Sequence, residues 1–171
     1  TNFTKNTSVS VTFEKQGYTI TASASSNGTI TPFGDTNVLY GDDATYTITP
    51  NTGYKIKNVL VDGASVGAVA SYTFESVTAN HTISAIFEKL TYTITATAGE
   101  NGSITPNGET TVEYGENVTF TITANAGYVI KEIKVDGVYV GNTSPYTLTN
   151  ITKNTSVSVT FEKQGYTITA S

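Results

Sequence analysis

Apolar and polar residues alternate with period two along most of this chain. TYTITATA, NVTFTITA and TSVSVTFE each put every second side chain on one face, the signature of a half-buried β-strand. β-Branched and aromatic residues fill these runs, as a pleated surface favours. In the stretch 90–163 the pattern predicts strands at 91–98, 103–105, 110–114, 117–124, 128–135, 138–141, 145–149 and 155–162. Turn chemistry separates them: Glu100-Asn101-Gly102, Tyr114-Gly115-Glu116-Asn117, Ala126-Gly127 and Asp136-Gly137. Asp62-Gly63 and Asp136-Gly137 are the clearest hairpin signals, because Asp-Gly accepts the two positive φ angles of a type I′ turn. No segment shows apolar residues at i, i+3, i+4 and i+7, so helix content is expected to be minimal.

Self-comparison changes the picture. Residues 1–23 and 149–171 are the same sequence except for Phe3 against Ile151. Halving that offset exposes a second, more diverged period of 74 residues, over which Gln16–Lys89 aligns with Leu90–Lys163 without a gap and about half the positions agree. The expected organisation is therefore the C-terminal strand of a preceding repeat at 1–15, repeat units at 16–89 and 90–163, and the first strand of a following repeat at 164–171. Nothing Pro- or Gly-rich separates the units. The segments Thr7–Phe13 and Tyr166–Ala170 are expected to be strands that lack the rest of their own units.

The expected fold class is all-β: small sandwich-like modules of about 74 residues in tandem. A module of that size buries only about 60 % of the surface its unfolded chain exposes, and disulfides are unavailable because the chain has no Cys. Tyr and Phe must then supply the packing. Tyr18, Tyr40, Tyr54, Tyr72 and Phe87 recur as Tyr92, Tyr114, Tyr128, Tyr146 and Phe161, and these ten are expected in the core or in contacts between units.

Composition narrows the function. The 171 residues carry 9 Lys, no Arg and 14 Asp plus Glu, a net charge of −5. This argues against nucleic acid, which needs clustered Lys and Arg. No stretch reaches the roughly 18–20 apolar residues of a membrane helix. With no Cys and one His, thiolate catalysis, Cys-bound zinc and multi-His metal sites fall away. No catalytic, cofactor-binding or metal-ligating set is expected. The chain also has no Met, so it is expected to be a fragment or a processed product.

Single residues of chemical interest have plain readings. Asp42-Asp43 and its counterpart Glu116-Asn117 adjoin turn glycines, and no D-x-D-x-D-G spacing supplies the six to eight oxygens of a calcium site. Glu88 and Glu162 sit beside Lys89 and Lys163 in matching FEK ends, which suggests surface pairing. His81 aligns with Thr155 and has no nucleophile to serve. N-x-S/T triplets begin at Asn2, Asn6, Asn27, Asn80, Asn101, Asn117, Asn142, Asn150 and Asn154, nine of the fourteen Asn. Among them Asn27, Asn80, Asn101, Asn117 and Asn154 are the candidate glycan acceptors. Lys57, Asn80 and Glu88, repeated as Lys131, Asn154 and Glu162, supply the residue types of an internal Lys–Asn isopeptide bond.

One family resemblance emerges at YTITATAGENGSITPNGETTVEYGENVTFTITANAGYVIKEIKVDG. An opening YTI strand, a Gly-rich turn before SITP, then YGENVTFTITANAGY, a VDG hairpin and a closing VTF together resemble the divergent internalin-B-type B-repeats. Where that family often has Trp after the GY element, this chain has Val59 and Ile133. The resemblance implies an extracellular bacterial surface protein, with repeats acting as stalk, spacer or weak binding module, and no shared catalytic motif. It also raises an alternative fold, β-grasp-like with a helix. The function expected is a non-catalytic segment of a repeat fibre or adhesin stalk, able to assemble head to tail through its terminal strands. The alternative is a surface module binding carbohydrate or a host protein through exposed Tyr. Expected partners are neighbouring repeats or identical subunits end to end, with glycans or a host surface protein under the second reading.

Overall fold

The computed structural model describes Ser8 and residues 10–165. Two sets of eight strands follow one another. The first comprises β1 (Gly17–Ala24), β2 (Gly28–Thr31), β3 (Gly34–Leu39), β4 (Ala44–Pro50), β5 (Tyr54–Val61), β6 (Ala64–Gly67), β7 (Ser71–Phe74) and β8 (His81–Lys89). The second comprises β9 (Thr91–Ala98), β10 (Gly102–Thr105), β11 (Gly108–Glu113), β12 (Val118–Ala124), β13 (Tyr128–Val135), β14 (Val138–Gly141), β15 (Tyr146–Leu148) and β16 (Thr155–Lys163). The described residues contain no helix.

Each set builds the same two sheets. In the first, five strands run in the order β3-β1-β8-β5-β6 and three in the order β2-β4-β7. The second repeats this as β11-β9-β16-β13-β14 and β10-β12-β15. The first and last strands of each set pair in parallel, Ile20 opposite His81 and Ile94 opposite Thr155. Every other recorded pairing is antiparallel.

Alternation explains the layering. In β1, Ile20 and Ala22 are buried while Thr21 and Ser23 face water. In β4, Tyr46 and Ile48 are buried between exposed Thr45, Thr47 and Thr49. The buried faces of the two sheets meet in one cluster, with Ile20, Val38, Val59 and Ile83 from the larger sheet and Ile30, Tyr46, Ile48 and Phe74 from the smaller. That is a sandwich. The corresponding cluster of the second set includes Ile94, Val112, Ile133, Val157, Ile104 and Phe120. Val59 and Ile133 have no exposed surface. The second layer is a sheet, not the helix of a β-grasp, because its strands keep strict period-two alternation.

The strands expected in 90–163 all form, with shifts of at most two residues at their ends. At the N-terminus, residues 10–16 contain no strand, and Val11 and Phe13 are exposed. Thr7 and Val9 of the expected strand Thr7–Phe13 lie outside the described residues, as does the whole of Tyr166–Ala170. By compactness the chain divides in two. Residues up to Asn51 with Ile56–Phe87 form one unit, and Thr52–Lys55 with the chain from Glu88 onward form the other.

Candidate functional site

The aromatic residues that stood out in the sequence occupy graded positions. Phe87 is buried and Phe161 half-buried. Each ring lies over a glycine in the neighbouring layer: a Cβ on Gly28 would overlap the Phe87 ring, and one on Gly102 the Phe161 ring. Tyr18, Tyr72, Tyr92 and Tyr146 pack at the margins of the cores. Tyr54, Tyr114 and Tyr128 are half-buried, whereas Tyr40 is 54 % exposed. Tyr40 follows the end of β3, where the chain leaves the sheet, and its ring centroid is 6.4 Å from that of Tyr18.

Three buried aromatic residues were not singled out from sequence: Tyr46, Phe120 and Phe74. Tyr46 and Phe120 are fully buried counterparts, and Phe74 is 6 % exposed. Tyr46 and Phe74 meet edge to face at 5.8 Å. The Tyr46 hydroxyl has no hydrogen-bond partner among the described residues. A signal was available: the gap-free alignment pairs Tyr46 with Phe120, so the ring recurs and the hydroxyl does not.

The Asp-Gly hairpins carry the densest polar chemistry. Asp62 and Gly63 have φ of 49° and 79°, Asp136 and Gly137 48° and 81°, the double positive φ of a type I′ turn. Each Asp also clasps the start of its unit's last strand. Asp62 Oδ1 accepts the Thr82 N–H at 2.7 Å, and Oδ2 lies 2.7 Å from His81 Nδ1. Asp136 Oδ1 accepts the Ser156 N–H at 2.8 Å, and Oδ2 accepts from Lys153 Nζ at 2.6 Å. The His81 hydrogen bond foremost, then the Thr82 N–H, holds the Asp62 carboxyl below its ordinary range. Lys153 and then the Ser156 N–H do the same for Asp136. His81 also lies against the Phe74 ring, centroids 4.9 Å apart. Thus two different side chains, from different chain positions, fill one role.

Asparagines brace the same region. Asn80 Oδ1 accepts the Thr19 N–H at 2.8 Å, and Asn154 Oδ1 the Thr93 N–H at 2.9 Å. Each extends the parallel ladder by one rung before its strand begins. These groups line an open polar depression that recurs in both units: Thr19, Thr21, Asp62 and Asn80 in one, Thr93, Thr95, Asp136 and Asn154 in the other. Asp43 Oδ1 accepts the Ser76 N–H and Asn117 Oδ1 the Asn150 N–H, both at 2.8 Å. They steady residues whose φ is 49° and 51°. Asp42 pairs with Lys15 at 2.8 Å. Asn27 and Asn101 sit in turns with φ of 77° and 71°. Of the five candidate acceptors, Asn27, Asn80, Asn117 and Asn154 are exposed and Asn101 is half-buried.

One sequence reading is corrected. The FEK Glu and Lys do not pair with each other: Glu88 pairs with Lys55 at 3.1 Å and Lys89 with Glu113 at 3.0 Å. Successive strand residues point to opposite faces. The isopeptide set of the second unit is also dispersed. Lys131 lies at the β-bulge beside Phe161 and Thr160, six residues along β16 from Asn154, or about 20 Å at strand rise.

The outer face of each small sheet is built of hydroxyls. Thr29, Thr31, Thr45, Thr47, Thr49, Ser71 and Thr73 are all exposed there, as are Ser103, Thr105, Thr119, Thr121, Thr123 and Thr147 in the second unit. Thr45 bonds Thr73 and Thr119 bonds Thr147 across the strands, each at 2.9 Å. Among the described residues no three His, Cys, Asp or Glu side chains gather as a metal site would require.

What the fold and its surfaces define is a class: tandem all-β repeat modules whose polar side chains brace turns and strand starts. A sequence model of the divergent InlB B-repeat domain matches residues 18–91 and again 92–165, so this chain belongs to that family, as two consecutive repeats. The family is associated with bacterial cell-surface proteins, and as a structural repeat type it is not typically catalytic. No curated protein and no solved structure matches the chain.

Proposed function

We propose that the chain is a structural, non-catalytic segment of an extracellular bacterial repeat fibre or adhesin stalk. The observation that carries this reading is the connection between units. β8 ends at Lys89 and β9 begins at Thr91, so one residue links two modules of identical strand order. Such a linker has few free torsions, which suits a stiff string of modules. The braced hairpins and strand starts are what a load-bearing module requires, and the neutral hydroxyl faces keep it hydrated. The test is small-angle scattering on polypeptides of two, four and six repeats. The maximum dimension should rise linearly with repeat number; growth as the cube root of mass would overturn the stalk.

Head-to-tail assembly through the terminal strands belongs to the same reading. TSVSVTF at 7–13 repeats the sequence of β16, and YTITA at 166–170 repeats that of β1, which are parallel neighbours within a unit. On this reading the tail segment of one molecule and the head segment of another become strands by pairing with each other.

A second reading is favoured by β14, an edge strand on which Val138, Tyr139 and Val140 are 66 %, 58 % and 40 % exposed. An apolar edge of this kind suits a host protein or a sugar ring. A glycan array and a host-protein pull-down, each with a Tyr139→Ser control, test it; signal independent of Tyr139 removes it.

A further inference from the structure

β14 is an edge strand without the devices that usually blunt such an edge. Among the described residues it has β13 on one side and no strand on the other. Val138-Tyr139-Val140 contains neither a charge nor a Pro. By contrast β11, the opposite edge of the same sheet, carries exposed Glu109 and Glu113, and charged side chains discourage pairing with another chain. The Asp136-Gly137 turn decides which backbone groups are free. Val135 and Val138 flank this two-residue turn and bond each other. At the next pair, Lys134 with Tyr139, the N–H and C=O of Tyr139 therefore point away from β13.

A local difference in sequence leaves this edge bare. In the first unit Ala64 and Ser65 of β6 are exposed, so the fold itself keeps the edge open. There Val66 and, in the loop that follows, Val69 pack against the core. Their counterparts in the second unit are Val140 and Thr143, both exposed. Ala64 and Ser65 are matched by the larger Val138 and Tyr139, which are also exposed. Val138 lies opposite Val135, which packs against the second core. Val138 and Val140 thus continue the core face of the sheet, and Tyr139 stands on the other face.

We propose that β14 pairs with β14 of a second copy, antiparallel about a two-fold axis through Tyr139. The occupant is a second copy because Val-Tyr-Val reads the same in both directions. With Tyr139 opposite its own equivalent, Val138 of each copy falls opposite Val140 of the other. Tyr139 exchanges its free N–H and C=O with that equivalent. The valines of both copies join on the core face, and the two Tyr rings meet on the other. Next along the strands Gly137 falls opposite Gly141, where neither has a side chain, and Asp136 falls opposite neutral Asn142. A surface that contacts itself closes at the dimer. The patch is small beside the roughly 1,200–2,000 Å² of a stable complex, so an isolated pair should dissociate at a concentration on the order of 1 mM. Chains displayed side by side supply the effective concentration that such a contact needs. The second reading above gives this edge to a host protein or a sugar; self-complementarity favours the chain itself. For its biological setting the contact rests on the structural reading, to which it adds a link between fibres that uses no terminal segment.

Analytical ultracentrifugation of the whole chain up to millimolar concentration tests this, with circular dichroism to verify folding. The wild type should form reversible dimers whose strength does not change with salt, because apolar groups and backbone make the contact. Val138→Lys alone and Val140→Glu alone should each stay monomeric. An equimolar mixture of the two should dimerise again, since the register sets the new Lys of one copy opposite the new Glu of the other. Added salt should weaken that mixed dimer. Ser65→Lys, on the first unit's edge, should associate as the wild type does. A monomeric wild type, single variants that associate as the wild type does, or a mixture without dimers each overturns the pairing. A monomeric wild type whose glycan or host-protein binding depends on Tyr139 would also overturn it and give the edge to the second reading. The scattering experiment above judges the stalk separately.

Discussion

The Phe87 ring lies flat over the Cα of Gly28, in the space where any side chain at that position would begin. Phe161 and Gly102 repeat the relationship in the second unit. The glycine that completes the Asn-Gly turn thus has a second duty, to admit a ring from the last strand of its module. Gly28→Ala should destabilise the first unit by about 1–3 kcal/mol, the range for overpacking a filled core. Urea unfolding measures it. The double variant with Phe87→Leu should lose less than the sum of the single changes, and strict additivity would show that the two do not touch.

Tyr46 predicts a stabilising substitution. Its hydroxyl is buried without a partner among the described residues, and an unsatisfied buried polar group costs about 1–3 kcal/mol. Tyr46→Phe copies the second unit's own solution, Phe120, and should raise the unfolding midpoint. Phe120→Tyr should lower it. A loss of stability in Tyr46→Phe would mean the hydroxyl is satisfied in solution.

Acid should weaken the hairpin clasps. Asp62 and Asp136 titrate below their ordinary 3.8 in the folded state. Their contribution is therefore complete above that unfolded value and is lost as pH falls below 3.8 through the lowered folded values. Asp136→Asn keeps an oxygen for the Ser156 N–H but cannot titrate. Thermal melts between pH 6 and pH 2 should show a shallower acid loss for this variant, and an unchanged slope would remove Asp136 from the account.

Asn154 should matter to stability, with no role in crosslinking. Asn154→Ala deprives the Thr93 N–H of its acceptor and should cost about 0.5–1.5 kcal/mol, the usual net value of one hydrogen bond. The intact mass of the wild type should equal that calculated from sequence. A deficit of one ammonia would establish an isopeptide bond and contradict the separation of Lys131 from Asn154.

Much of this was legible in the chain itself. Strand positions followed from alternation and turns from Asp-Gly and Asn-Gly, because side-chain period and positive φ are local properties of a few residues. The repeat length and the family resemblance came from self-comparison and motif order. What stayed hidden was long-range. Alternation tells which face Ile20 joins, but not that its strand lies parallel to the one beginning at His81. Nor does it tell that Tyr46 is enclosed while Tyr40, six residues earlier, faces water. His81 and Lys153 looked unrelated in an alignment, since they occupy different columns; only folding brings each to the matching Asp.

The linear order of residues was thus sufficient for secondary structure, module size and module count, all set by near neighbours and by repetition. Strand partners, the sandwich in place of a helix-covered sheet, and the separation of Lys131 from Asn154 were decided by tertiary structure. The reason is physical: pairing and burial depend on which distant surfaces can exclude water together, and no local pattern encodes the partner.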